Sequence, residues 1–150
     1  MSISKQEVVE ACVKHIQNQI DRLQAELKEL QQSNEQNTKS SAGDKHETAR
    51  AMVHLEIEKL SNQLNIAELV LSDLHKINVE HQAESVQKGS VIETNRGTFL
   101  IGASTGKVML DKGFLFGVSM DSPLAKALLG KKVKDQITLN GNLFTLLDLY

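Results

Sequence analysis

Two carboxylates stand where this chain could do chemistry. Asp44 and Glu47 belong to the string Gly43-Asp44-Lys45-His46-Glu47, at the start of a helical pattern. Residues three apart occupy neighbouring positions on one helix face. Carboxylates offer hard oxygen ligands, and Mg²⁺ is normally held by one or two of them, with waters and substrate phosphates filling the rest of its shell. Such a pair can complete a metal site in another protein but cannot form one alone. The same residues also fit a capping box, with Asp44 as N-cap and Glu47 reaching back, favoured by the helix dipole. The two readings are compatible, because a cap preorganises the side chains it uses.

Other strings imitate known chemistry without completing it. His46-Glu47-Thr48-Ala49-Arg50 begins like the zinc-protease pattern, but an arginine stands where the second histidine ligand is needed. Gly102 to Lys107 resembles a phosphate-binding loop with one spacer too few, and Val108 replaces the hydroxyl that would bind magnesium. The five histidines show no paired ligand spacing. Prolyl isomerisation is disfavoured as well, since aromatic residues make up 3% of the chain and Trp is absent, whereas such a pocket needs aromatic walls.

The acidic pair sits at the fold point of two heptad ladders. Val9, Val13, Ile16, Ile20, Leu23, Leu27 and Leu30 recur at alternating spacings of 4 and 3, and Val53, Ile57, Leu60, Leu64, Ala67, Leu71 and Leu74 do the same. Pairing Leu30 with Val53, Leu27 with Ile57, and so on to Val9 with Leu74 gives a nearly constant sum of residue numbers. That predicts an antiparallel coiled-coil hairpin turning near Ser41 and Ala42. Between Gln31 and Ala51 apolar residues almost vanish, so the tip is expected to be solvated, with some mobility. A helix from Val9 to Ser40 would rise roughly 45–50 Å. On the second helix Ile66, Leu69, Val70 and Ile77 lie off the ladder and are expected to pack on the domain that follows.

After a polar joint at Ala83 to Lys88 the period drops towards 2 and Gly-containing turns appear, which predicts β structure. Strands are expected at Ser90–Thr94, Thr98–Ile101, Lys107–Leu110, Phe114–Val118, Lys134–Leu139 and Asn142–Leu149. Ser122, Pro123 and Gly130 bracket a short helix as cap, first helical residue and stop. Asn140-Gly141 predicts a type I′ hairpin turn. The expected organisation is α+β: a coiled-coil hairpin over residues 1–82 and a small β domain with one short helix over 83–150. A net charge of −2 does not suit a general nucleic-acid binder, and independent DNA binding is not expected. Cys12 is expected to be a small packing residue beside the first seam. The absence of a signal pattern or long apolar run predicts a soluble, cytoplasmic protein with no membrane partner.

Gly43-Asp44-x-x-Glu47 at the turn of a long hairpin, Gly89-Ser90-Val91 at the start of the second domain, and Ser122-Pro123-Leu124-Ala125-Lys126-Ala127-Leu128-Leu129-Gly130-Lys131-Lys132-Val133 together resemble the bacterial Gre transcript cleavage factors. The resemblance covers nearly the whole chain. It implies an antiparallel coiled coil followed by an FKBP-like domain that docks at the rim of the RNA polymerase secondary channel, here through Ser122, Pro123, Leu124, Lys126 and Lys131. It further implies that the hairpin reaches the active centre, where Asp44 and Glu47 would share a Mg²⁺ ion and position water near the RNA 3′ end. The factor would then be no enzyme itself but would stimulate polymerase to cleave backtracked RNA. The chain departs from the family at Thr48-Ala49-Arg50, where Asn-Ala-Glu is usual, at Lys134-Asp135, where Gly-Asp is usual, and at Ala125, where Gly is common. Two alternatives stay open: a channel regulator that does not cleave, and a coiled-coil adaptor unrelated to transcription.

Overall fold

The computed structural model describes residues 3–39 and 44–150, with side chains for all of these except 36–39 and 44–46. The turn expected at Ser41 and Ala42 lies outside the described residues. Helices α1 (Lys5–Lys39) and α2 (Asp44–His75) are followed by strands β1 (Val91–Thr94), β2 (Gly97–Ile101), β3 (Gly106–Leu110) and β4 (Gly113–Val118). Helix α3 (Pro123–Leu128) and strands β5 (Gln136–Leu139) and β6 (Asn142–Leu149) complete the chain. The class is α+β, with two long N-terminal helices, a six-stranded sheet and one short helix. Among the described residues no helix is long and apolar enough to cross a membrane. Two compact units result: Gln17–Leu69, and Met1–Ile16 together with Val70–Tyr150.

In the unit Gln17–Leu69 the ladders are buried as their spacing requires. Ile20, Leu23, Leu27, Leu60 and Ala67 are buried, and Leu30, Val53, Ile57 and Leu64 are half-buried. A groove lined by Glu26, Glu29, Leu30 and Ser33 of α1 and by Glu56 and Leu60 of α2 sets the helices side by side at the height that the constant sum demands. Cysteines replacing Leu23 and Leu60 are therefore expected to form a disulfide within one chain, since only Cα atoms closer than about 7 Å can be bridged. Mass analysis without reductant checks this; a bond found only between chains would contradict the pairing.

The outer face of α2 differs from expectation. Ile66 and Leu69, expected to be covered by the domain that follows, are 61% and 68% exposed. Successive residues turn about 100° around the axis, and these two point away from the seam. Val70 is buried, and Ile77 fills the space that Gly89 leaves, its Cγ2 3.5 Å from where a Cβ would be.

In the other unit the strands run in the order β3-β4-β2-β1-β6-β5, all neighbours antiparallel except β2 and β4. Simple alternation fails because much of the sheet is covered on both faces, so Val91-Ile92 and Leu100-Ile101 are wholly buried pairs. One face carries Ile92, Phe99, Ile101, Ile137, Leu146 and Leu149, packed with Ala125 and Leu128 of α3. At the hairpin base Val8, Val9, Cys12, Ile16 and Leu74 are buried. Burial pushes the Cys12 thiol up to about 11 against a weaker opposing hydrogen bond with Thr105, as befits a packing residue. Lys5 donates from Nζ to the His81 carbonyl at 2.9 Å, and burial lowers its pKa.

The segment expected to be a polar joint is stitched into the core. Ala83 and Val86 are buried, Val86 N–H donates to the Lys131 carbonyl and Gly130 N–H to the Val86 carbonyl, each at 2.8 Å. Strand β5 starts at Gln136 rather than Lys134, because Lys134 takes a positive φ of 79° and the Asp135 carboxylate accepts from the Lys132 N–H, making Lys132–Asp135 a turn. Asn140 and Gly141, at φ 52° and 79°, form the expected type I′ connection.

Candidate functional site

Helix α2 begins at Asp44, so Asp44 and Glu47 both lie in its first turn, where the dipole favours negative charge. The Asp44 side chain lies outside the described ones, and with it the expected cap. Glu47, Thr48 and Ala49 are exposed and Arg50 is half-buried, all within the helix. Arg50 follows Glu47 by three residues, near enough for the guanidinium to compete with a cation for that carboxylate. Among the described residues no group of three or more His, Cys, Asp or Glu could hold a metal ion. Two carboxylates giving one oxygen each would fill about two of the six positions around Mg²⁺, which leaves the other ligands to waters and a partner.

The Gly102–Lys107 string turns out to be the crossover between β2 and β3. Ala103 and Thr105 are buried, and Gly102 N–H donates to the Val118 carbonyl at 2.8 Å. The loop is packed inward at Ala103 and Thr105, and its two glycines take positive φ, 104° at Gly102 and 70° at Gly106, which accounts for them without a phosphate.

The resemblance pointed to residues around α3 for docking. Ser122 caps α3: its hydroxyl accepts from the Ala125 N–H at 3.1 Å and donates to the Ser119 carbonyl at 2.8 Å. Pro123, Lys126 and Lys131 are exposed, while Leu124 is half-buried against the core. Ser122 and Leu124 thus also shape the helix, leaving Pro123 and the two lysines as the freer surface.

Sequence reasoning missed a second feature of this unit. It counted the aromatic residues and found few, but all four phenylalanines of the chain converge on one sheet face. Phe99 stacks on Phe116 with centroids 6.3 Å apart and meets Phe144 edge-on at 6.3 Å, and Phe114 meets Phe116 edge-on at 5.6 Å. Lys107 Nζ stands 4.3 Å above Phe114, and Arg96 lies 5.8 Å from the Phe144 centroid while its Nε donates to the Leu143 carbonyl at 2.8 Å. Phe99 and Phe144 pack in the core with Leu124 and Leu128, so α3 covers the β5–β6 side of this face. The β3–β4 side is open, with Phe114 44% and Phe116 38% exposed. Phe114 and Phe116, two apart on a strand, announce a shared face. The parallel register that sets Phe99 beside Phe116 is not visible in sequence.

No protein-family model matches the chain, and no curated protein matches it. Among solved structures, that of the transcription factor Gfh1 is similar over 93% of this chain and 94% of that chain, at 20% sequence identity and a TM-score of 0.40.

Proposed function

We propose that this chain is an accessory factor of RNA polymerase, carrying Asp44 and Glu47 through the secondary channel to the active centre and stimulating hydrolysis of backtracked RNA there. The observation that carries the reading is that Asp44 and Glu47 of the motif Gly43-Asp44-x-x-Glu47 open the second of two long helices, in the same chain as the Ser122–Val133 string. The exposure of Glu47 agrees with a site finished by a partner. Bound Mg²⁺ supplies charge stabilisation and a more acidic water. The chain's own part is to hold that ion with two carboxylates, orient a water by accepting its hydrogen bonds, and add negative charge that keeps the ion near phosphate. Water oxygen adds at phosphorus, one ribose oxygen departs as a hydroxyl, and polymerase supplies the remaining ligands and the RNA.

In this reading the open Phe114–Phe116 side of the sheet is the docking surface. Aromatic rings topped by cations suit a partner that presents apolar side chains with acidic neighbours. Phe116→Asp is expected to weaken binding of the whole protein to its cognate polymerase by at least about tenfold while leaving helix content unchanged, as a charge at an interface centre does. Equilibrium binding with a labelled wild-type competitor checks this; equal affinity would move the docking surface elsewhere, and no polymerase binding by wild type would remove the reading. Arg50 favours a second reading, in which the same arm occupies the channel and regulates without cutting.

A further inference from the structure

We infer that this chain self-associates through the outer face of α2, as an antiparallel pair of α2 helices related by a two-fold axis between Leu60 and Ser61. Met52, Leu55, Ile66 and Leu69 are each more than 60% exposed, and among the described residues they are the exposed large apolar side chains of the two long helices. They are not scattered. With Lys59 and Asn62 between them they form a complete second ladder at spacings of 3 and 4, on the side of α2 roughly opposite the hairpin seam. A helix with two apolar faces has a second partner to find.

The order of residues along this ladder selects that partner. Read from the two ends inward, Met52 matches Leu69, Leu55 matches Ile66 and Lys59 matches Asn62, always at the same sum of residue numbers. A second copy laid antiparallel therefore sets Met52 on its Leu69, Leu55 on its Ile66, and the Lys59 ammonium against the amide oxygen of its Asn62. Every contact then occurs twice, as an isologous interface requires. The flanks agree, because Glu56 and Glu58 fall near Gln63 and Asn65 of the second copy, with no like charges opposed. A parallel pair would stack Lys59 on Lys59, and a one-heptad slip would set Met52 against Lys76. The polar layer at the centre thus fixes both direction and register. Eight exposed apolar side chains at roughly 100 Å² or more each come to about 1,000 Å² with their rims, the lower limit of a specific interface. The dimer is accordingly weak and concentration-dependent. Where the arm works by insertion, only the monomer presents it bare; that consequence rests on the polymerase reading, whereas self-association does not.

Sedimentation equilibrium of the full chain across the micromolar range tests this without polymerase. A reversible monomer–dimer equilibrium is expected. Leu55→Glu should raise the dissociation constant at least about tenfold, with unchanged circular dichroism because the site is exposed. Mixing that variant with Ile66→Lys should restore association. Oxidising a mixture of Leu55→Cys chains and tagged Ile66→Cys chains should give chiefly the mixed disulfide. A wild type that stays monomeric, a Leu55→Glu chain that still dimerises, or Leu55→Cys chains that link mainly to themselves would each overturn the proposal.

Discussion

Gly117→Ala is expected to destabilise the sheet unit by about 3 kcal/mol, the upper range for forcing a methyl group into a packed interior. A Cβ built on Gly117 falls on Thr105 Oγ1 and 2.5 Å from the Ala103 carbonyl oxygen. Neither neighbour can withdraw easily. Ala103 is fully buried, its carbonyl accepts from the Thr105 N–H at 2.9 Å, and Thr105 Oγ1 donates to the Gly106 carbonyl at 3.0 Å. The β2–β3 crossover lies directly on β4, and Gly117 is the position that lets it. Gly113 is the control: a Cβ there meets nothing within 4 Å, so Gly113→Ala bears only the strain of its φ of 96°, about 1 kcal/mol. Urea denaturation of both variants checks the difference. Equal midpoints would mean that the crossover is free to move.

The same crossover shows where sequence reading stops. Gly102, Gly106 and Gly117 announce unusual backbone or close approach, but what comes close to Gly117 depends on β2 and β4 lying side by side in parallel, which local pattern cannot give. Local devices were legible because their physics is local. The cap at Ser122, Pro123 at the first helical position, the Asn140-Gly141 turn and the seam through Leu23 and Leu60 each follow from a few neighbouring residues. Ile66 and Leu69 were misplaced because off-ladder apolar residues say that a surface exists, not what covers it. The phenylalanine face was missed for a related reason. Composition counts residues, whereas the sheet gathers them. Of the candidate site, only its position in the first turn of α2 was readable in advance, since helix start and residue spacing are both local.

The second large effect concerns the acidic pair. A carboxylate that only caps a helix contributes about 0.5–2 kcal/mol, and asparagine caps as well as aspartate does. Asparagine keeps one oxygen but loses the charge, so it is a much poorer Mg²⁺ ligand. Asp44→Asn therefore preserves the helix end while weakening the metal site. Glu47→Gln likewise removes a charge while keeping a similar shape and one oxygen, at a side chain that is exposed. Both variants are expected to keep the thermal midpoint and polymerase affinity of wild type and to lose stimulated cleavage by about a hundredfold or more, on the scale of removing one preorganised catalytic group. Raised Mg²⁺ should restore part of the loss, because a weakened site fills again by mass action. An effect through Arg50 alone would not respond to Mg²⁺ in this way.

The measurement closest to the central claim is transcript cleavage by the cognate polymerase stalled in a backtracked complex, with wild type, Asp44→Asn and Glu47→Gln compared at matched occupancy. Wild type is expected to accelerate cleavage, and each variant is expected to bind equally yet leave the rate near that of polymerase alone, with partial recovery at raised Mg²⁺. Binding by wild type without acceleration, or acceleration that survives both substitutions, would contradict the account and leave Asp44 and Glu47 as the cap of a regulatory arm.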